Sequence, residues 1–156
     1  MNEIVVRWGN PEDRSRITHI LRLNSMPARN VPMRTYIVAE ERGEVLAVVS
    51  YRTRRKRLLL GSLAVDPWAG EHRFAVALYS GAKDLTREMG LREVWVDSDD
   101  KREYLLEAGY HRRVGGWRVD TMPPFYEYEE LPKSGWRRVL FLWGAPNVPF
   151  FRAFRT

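Results

Sequence analysis

The chain has 156 residues, of which 44% are hydrophobic and 29% are charged, with 11 Gly and 9 Pro. These values fit one globular domain and exclude a disordered chain or a collagen-like repeat. No apolar stretch approaches the ~18 residues of a membrane span, and the start, MNEIVVRWGNPEDR, lacks the apolar run of a signal peptide. We therefore expect a cytoplasmic protein without a membrane segment.

The cysteine, histidine and charge content limits the chemistry further. Cys is absent, which excludes disulfides, thiolate zinc sites and a Cys nucleophile. The three His residues, His19, His72 and His111, are too scattered to predict a metal site. The net charge of +6 favours an anionic partner such as nucleic acid, an acidic metabolite or a phosphate-bearing cofactor. The alternative is that the basic residues, nearly all of them Arg, only solvate the surface.

The N-terminal part of the chain predicts a strand, a helix and a loop. The apolar run from Ile4 to Trp8 indicates a strand. Asn10 and Pro11 then supply an N-cap and a first-turn proline for a helix over 11–24. Residues 24–35 hold several Asn, Ser and Pro residues, which predict a loop.

Three consecutive strands follow in the sequence pattern. Tyr36–Ala39 and Val45–Val49 flank the turn residues 41–44 and predict a hairpin. The longer apolar run Leu58–Val65 predicts a third, central strand. The connection before it, Arg52–Arg57, is crowded with basic side chains.

The hydrophobic period changes to that of a helix over residues 74–90, which end at a glycine. The apolar side chains on its predicted inner face are Phe74, Leu78, Gly81, Ala82, Leu85 and Met89. Val94–Val96 then predicts a strand, and Asp99 is a candidate cap for a short helix over 100–108. Gly109 ends that helix, and a further extended segment begins at Tyr110.

The element order β-α-β-β-β-α-β-α-β predicts an α/β fold with a mixed sheet of six or seven strands and helices on both faces. The strand–helix–strand unit around residues 74–90 makes the sheet antiparallel at first and parallel afterwards. We expect a ligand site at the opening where these two parts meet, since ligands in α/β sheets gather near the carboxyl ends of strands.

Residues 1–156 are predicted to form one domain, with a core over 1–119 and an aromatic-rich extension over 120–156. Arg137–Trp143 predicts one more strand in this extension. That strand has few polar alternations, so we expect it to be paired, either within the sheet of the monomer or with a second chain in a homodimer.

The segment from Leu58 to Tyr110 resembles the core of the GNAT family of N-acetyltransferases. The matching stretches are LLLGSLAVDP, FAVALYSGAKDLTREMGLREVWV and YLLEAGY. The resemblance implies acetyl-CoA as co-substrate, with the main chain of Leu63, Ala64 and Val65 pairing with pantetheine. It also implies that residues at the start of the long helix surround the pyrophosphate: Gly70, Glu71, His72, Arg73, Phe74 and Ala75. Orphan N–H groups and the helix dipole make such a position suitable for anions.

The chain departs from the family's Gln/Arg-x-x-Gly-x-Gly/Ala loop. Gly70 occupies the Gln/Arg position, Arg73 the first Gly position, and Ala75 alone conforms. The Arg73 side chain either obstructs the approach of phosphate or supplies a charged contact to it. Glu71 repels a pyrophosphate unless Arg73 or His72 pairs with it. The alternative is an ordinary helix start with no ligand.

A second departure concerns the catalytic acid. The resemblance implies a Tyr four residues before Gly109, where this chain has Leu105. Tyr104 lies one residue earlier, about 100° away around a helix, and is the candidate acid; the alternative is a structural Tyr. No base is assigned, because Leu58–Val65 contains no Glu, Asp or His.

The resemblance implies an acetyl-CoA-dependent N-acetyltransferase that acts on a small-molecule or protein amine. A binding module that keeps the fold without catalysis is the alternative, and a basic nucleic-acid-binding protein is less favoured because no groove-reading motif is present. The basic residues Arg52–Arg57 have three alternative interpretations. They contact the 3′-phosphate of the cofactor, they contact nucleic acid, or they form a solvated hairpin tip.

Overall fold

The computed structural model describes residues 3–28 and 35–121. The three helices in these residues are α1 (Arg14–Leu23), α2 (Glu71–Glu88) and α3 (Arg102–Glu107), and a 3-10 turn at Pro11–Asp13 precedes α1. The strands are β1 (Ile4–Trp8), β2 (Tyr36–Glu41), β3 (Glu44–Arg54), β4 (Arg57–Val65), β5 (Glu93–Val96), β6 (His111–Arg113) and β7 (Gly116–Asp120).

The described strands form one sheet in the order β1-β2-β3-β4-β5-β7-β6. β4 and β5 are parallel, and each other neighbouring pair is antiparallel. The predicted mixed α/β sheet is therefore confirmed, with seven strands. The single extended segment predicted from Tyr110 is instead the hairpin β6–β7, because Val114 and Gly115 form a turn between two short strands.

Helices cover both faces of this sheet, as predicted. α1 packs on one face through Ile17, Ile20 and Leu21, against a cluster that includes Val38 and Val48. α2 packs on the other face, where the larger cluster includes its own Phe74, Leu78 and Ala82 together with Ile37, Val49, Leu58, Val94 and Leu105. Successive side chains of a strand point to opposite faces, so the central strands contribute to both clusters.

Some helix bounds differ from the predicted ones. α2 begins at Glu71 rather than 74, because its first three side chains are polar and carry no apolar period. It ends at Glu88, and Met89 is exposed rather than part of the inner face. α3 has no side-chain cap from Asp99, whose carboxylate instead accepts a hydrogen bond from Trp117 Nε1 at 2.7 Å.

Other predictions lie outside the described residues. These are the strand Arg137–Trp143, nearly all of the aromatic-rich extension over 120–156, and most of the second half of the loop over 24–35. The extent of the single domain and the homodimer contact stay predictions. Of the helices in the described part of the chain, none has the length and apolar character needed to span a bilayer.

The first turn of the helical region is tied to β1 by an ion pair. Arg7 donates from Nη1 and Nη2 to the two carboxylate oxygens of Asp13, at 2.8 and 2.9 Å. The main-chain N–H of Asn10 donates to the same carboxylate, while the Asn10 side chain accepts from Glu12. This is the reciprocal capping arrangement, and it confirms the predicted cap at Asn10. The guanidinium of Arg7 holds the pKa of Asp13 below its ordinary value.

Replacing Asp13→Asn should lower the free energy of unfolding by about 1 kcal/mol at neutral pH, since a charged hydrogen bond at a half-exposed arginine is lost. The folded-state pKa of Asp13 is lowered, so its contribution is complete above the ordinary carboxyl pKa and is lost as pH falls through the folded-state value. The difference between wild type and variant, measured by urea unfolding, should therefore shrink below about pH 4.

Asp84→Asn is the matched control, because the Asp84 side chain is 70% exposed. We expect this control to change the free energy of unfolding by less than about 0.5 kcal/mol. A wild-type to Asp13→Asn difference that stayed constant down to pH 3 would contradict the assigned role of the carboxylate.

Candidate functional site

The sheet opens between β4 and β5. The two strands pair from Arg57 opposite Glu93 to Leu60 opposite Val96. β5 ends at Val96, whereas β4 continues to Val65 against β3. Among the described strands, none therefore lies on the β5 side of β4 beyond Leu60. This opening lies where the antiparallel and parallel parts of the sheet meet, as the sequence predicts.

A β-bulge in β4 accompanies the opening. Val49 pairs with Leu63 and Tyr51 pairs with Leu60, so two residues of β4 lie opposite one residue of β3 between these pairs. The extra length falls at Gly61 and Ser62, and the Ser62 N–H donates to Ser50 Oγ at 3.1 Å. A bulge reverses the alternation of side chains, which brings Leu63 to the same core cluster as Leu60.

The hydrogen-bonding direction of β4 decides which main-chain groups face the opening. The Asp66 N–H donates to Leu46 O on β3 at 2.8 Å. The main-chain N–H and C=O groups of successive strand residues point to opposite neighbouring strands, so those of Ala64 also point to β3. The main-chain groups of Leu63 and Val65 point to the other side, beyond the end of β5. The carbonyl of Val65 accepts from Asn24 Nδ2 at 3.0 Å. Of the three predicted pantetheine residues, Leu63 and Val65 thus point main-chain groups into the opening, and Ala64 does not.

The start of α2 lies directly after the opening. Gly70 is the N-cap with φ +94°, a conformation that favours glycine, and a Cβ there would meet no atom within 4 Å. Asp66 organises the preceding turn, where its carboxylate accepts from the Trp68 N–H at 3.0 Å. Because α2 begins at Glu71, the predicted loop over 70–75 is largely the first helical turn. The first N–H groups of a helix have no intrahelical partner, so this turn is suited to bind an anion.

Each of the first three side chains of α2 has a polar partner from another part of the fold. Glu71 Oε2 lies 2.9 Å from Lys101 Nζ, and His72 Nε2 lies 2.8 Å from Glu107 Oε1. Arg73 pairs with Glu41 at the end of β2. The sequence left open whether Arg73 or His72 pairs with Glu71; in the structure the cation at the Glu71 carboxylate is Lys101.

These ion pairs determine the electrostatics of the turn. The ammonium of Lys101 lowers the pKa of Glu71, and the guanidinium of Arg73 lowers the pKa of Glu41. Arg73 Cζ also lies 5.3 Å from the centre of the Phe74 ring. The Arg73 side chain thus runs toward β2, while its main chain remains in the first turn of α2.

Phe74 and Ala75 lie in the core. Both side chains have 0% exposure, and their positions in the helix give their N–H groups intrahelical acceptors. Trp68, in contrast, is 93% exposed and does not pack on Phe74. Among the predicted cofactor residues, those with side chains near the surface are therefore Glu71, His72 and Arg73.

Tyr104 lies against the same turn. Its ring centre is 5.4 Å from that of His72, the second residue of α2. Partial burial and the Glu71 carboxylate raise its pKa, so the phenol stays protonated at neutral pH. The next residue, Leu105, is fully buried in the core. The one-residue displacement therefore directs Tyr104 to the start of α2.

The basic hairpin tip lies at the other end of β4. The nine residues of this strand place Arg57 roughly 26 Å from Val65, at about 3.3 Å per residue, and the start of α2 follows Val65. Arg57 Nε is 3.0 Å from Glu93 Oε1, and its guanidinium lies over the Trp95 ring at 4.9 Å. The tip is thus separate from the opening. Within residues 3–28 and 35–121, no group of three or more His, Asp or Glu side chains is placed to hold a metal ion.

Sequence reasoning missed Lys101, Glu107 and Glu41, which complete the charges of the first helical turn. They lie 30 or more positions from their partners, so local spacing carries no sign of the pairing. The available signal was the run of three charged or titratable side chains in one helical turn, which indicates ion-pair or hydrogen-bond partners from other parts of the fold.

Comparison with protein families identifies this arrangement. The model described as Acetyltransferase (GNAT) family matches residues 4–115. The chain belongs to the GNAT acetyltransferase family. The match includes the opening, the first turn of α2 and Tyr104. A comparison with curated protein sequences finds no match.

Solved structures with the GNAT fold are similar over most of the described chain. A GNAT family acetyltransferase from Brucella melitensis in complex with acetyl-CoA has 17% identity and a TM-score of 0.58, and the alignment covers 79% of this chain and 91% of that one. The ribosomal-protein-S18-alanine N-acetyltransferase from Escherichia coli has 16% identity and a TM-score of 0.56, with 76% and 90% covered.

N-acetylglutamate synthase from Neisseria gonorrhoeae, complexed with coenzyme A and L-arginine, has 18% identity and a TM-score of 0.58 over 70% of this chain. The alignment spans only 28% of the length of that synthase. At these levels of identity, the similarities establish the GNAT fold of this chain.

The bulge of β4 can be tested with a double-mutant cycle. A Cβ at Gly61 would lie 2.4 Å from Ser50 Oγ, which must then leave the Ser62 N–H. Gly61→Ala should therefore destabilise the wild type by about 1 kcal/mol and the Ser50→Ala background by clearly less, with the difference read by urea unfolding. Equal costs in the two backgrounds would contradict the contact between Gly61 and Ser50.

Proposed function

We propose that this protein is an acetyl-CoA-dependent N-acetyltransferase that transfers the acetyl group to a small-molecule amine or a protein amino group. The observation that carries the proposal is the opening between β4 and β5, followed directly by an uncapped helix start, in a chain of the GNAT family. The coenzyme A and acetyl-CoA named in related structures support the choice of co-substrate.

The cofactor would lie along β4 and across the first turn of α2. The N–H and C=O of Leu63 and the N–H of Val65 supply partners for the amide groups of a pantetheine arm, as an added strand would. The N–H groups from Gly70 to Arg73 lie at the positive end of α2 and face the pyrophosphate. Ala64, Phe74 and Ala75 support this surface from the core.

The reaction requires positioning and two proton movements. Acetyl-CoA supplies a thioester carbonyl; the uncharged amine attacks it, the C–N bond forms, and the C–S bond breaks. The thiolate then takes a proton, and the new amide nitrogen loses one. Tyr104 is the proposed proton donor, because its phenol is protonated at neutral pH and its ring lies against the first turn of α2, next to the opening.

A catalytically inactive GNAT module is the second candidate. Two observations favour it: Arg73 occupies a glycine position of the family loop, and the family's Tyr position is Leu105, which is buried. Such a module would bind coenzyme A, or a protein partner, without turnover.

Calorimetric titration with acetyl-CoA is the decisive measurement. We expect saturable binding and a rise in melting temperature, since a ligand that binds the folded state stabilises it by mass action. Release of free coenzyme A with a panel of small amines and peptide N-termini should identify the acceptor. No heat and no stabilisation at millimolar acetyl-CoA would contradict the proposed function, and binding without turnover would favour the inactive module.

Tyr104→Phe should lower kcat by at least about 100-fold while the dissociation constant of acetyl-CoA stays within about twofold, because loss of the phenolic proton removes general acid catalysis. Tyr104→Leu is the matched control, since it also removes the ring that stacks on His72. If the ring alone matters, Tyr104→Phe keeps full activity and only Tyr104→Leu loses it, which would contradict the role of proton donor.

A further inference from the structure

We propose that Lys101 is the side chain that binds the cofactor pyrophosphate, and that Glu71 holds it in place until the phosphates displace the carboxylate. This inference rests on the proposed function, because it names a ligand of the same site. Lys101 lies outside the family's loop motif, immediately before α3.

The position of Lys101 supports this assignment. Its Nζ is 2.9 Å from the carboxylate of Glu71, the first residue of α2, and so lies at the positive end of that helix. Its side chain is 32% exposed and that of Glu71 is 49% exposed, so an anion can reach both from solvent. At the N-cap, Gly70 has no side chain, and no atom of the described residues beyond its chain neighbours lies within 4 Å of the position that a Cβ would take.

The other basic side chains of the turn are engaged elsewhere. Arg73 is paired with Glu41, whose side chain is only 15% exposed, and the pair links α2 to the end of β2. His72 is paired with Glu107 and stacked on Tyr104. Moving either one would break contacts between elements of the fold, whereas Lys101 would exchange one anion for another at the same place.

We infer that Glu71 occupies the place that the ligand phosphates would take beside Lys101. A carboxylate near the first turn of a helix is stabilised by the helix dipole and by Lys101. A pyrophosphate carries more negative charge and more acceptor oxygens, so it competes well for the same ammonium and the same N–H groups. Displacement of the carboxylate nevertheless costs binding energy, so the native pair reduces affinity for the cofactor while it keeps Lys101 ordered.

The test is calorimetric titration of the wild type, Lys101→Met and Lys101→Arg with coenzyme A and with 3′-dephospho-coenzyme A. Lys101→Met should weaken both ligands by about 10- to 100-fold, the effect of one charged hydrogen bond, and Lys101→Arg should recover most of the loss. Glu71→Gln should strengthen both ligands severalfold, because a like charge is removed. Lys56→Met, at the exposed hairpin tip, is the charge-matched control and should change neither affinity by more than about twofold.

The other possible results distinguish failure of the Lys101 assignment from failure of the proposed function. If Lys101→Met binds both ligands as the wild type does, the inference is wrong and the proposed function stands. A loss confined to coenzyme A would place Lys101 at the 3′-phosphate and also overturn the inference. Failure of Lys101→Arg to recover affinity, with an unchanged melting temperature, would show that the ammonium charge is not the binding element. If the wild type binds neither ligand, the proposed function itself fails.

Discussion

The bulge at Gly61 and Ser62 is the constraint on which the site depends. It lies directly after Leu60, where the pairing of β4 with β5 ends, while β4 continues along β3 to Val65. The same extra residue returns Leu63 to the α2 face, so the core remains continuous across the opening. A regular β4 would instead point Leu63 toward the α1 face and move each later side chain to the face opposite its present one. The bulge thus keeps the core continuous at the place where the sheet opens.

Charge compensation is the second organising feature. Arg73 reaches β2, whereas Glu71 and His72 reach Lys101 and Glu107 at the two ends of α3, so ion pairs and hydrogen bonds join the first turn of α2 to both elements. Exposed ion pairs of this kind contribute little to stability. They instead fix the directions in which the side chains leave the helix, and so decide which groups remain near its positive end.

Features with a hydrophobic period or a local sequence signal could be predicted from the sequence. Alternation and apolar runs located the central strands, the helical face from Phe74 to Leu85 located α2, and Asn10 marked the first cap. The bulge could not be predicted, because Leu58–Val65 is almost uniformly apolar. Such a run has no alternation of apolar and polar residues that an extra residue would interrupt. The start of α2 was placed too late because Glu71, His72 and Arg73 are polar, and their ion-pair partners are distant in sequence.

The two departures from the family pattern are each accommodated by a partner in another part of the fold. Arg at position 73 is compatible with the fold because this residue is the third of a regular helix and its side chain runs to Glu41, so no glycine conformation is needed. Displacement of the tyrosine to Tyr104 brings its ring against His72, next to Glu71, whose carboxylate accepts from Lys101. A glutamate that would be unfavourable alone near phosphates is thus paired with an ammonium from the residue that precedes α3. The altered loop is therefore compatible with the fold because β2 and the segment containing α3 supply partners for its charged side chains.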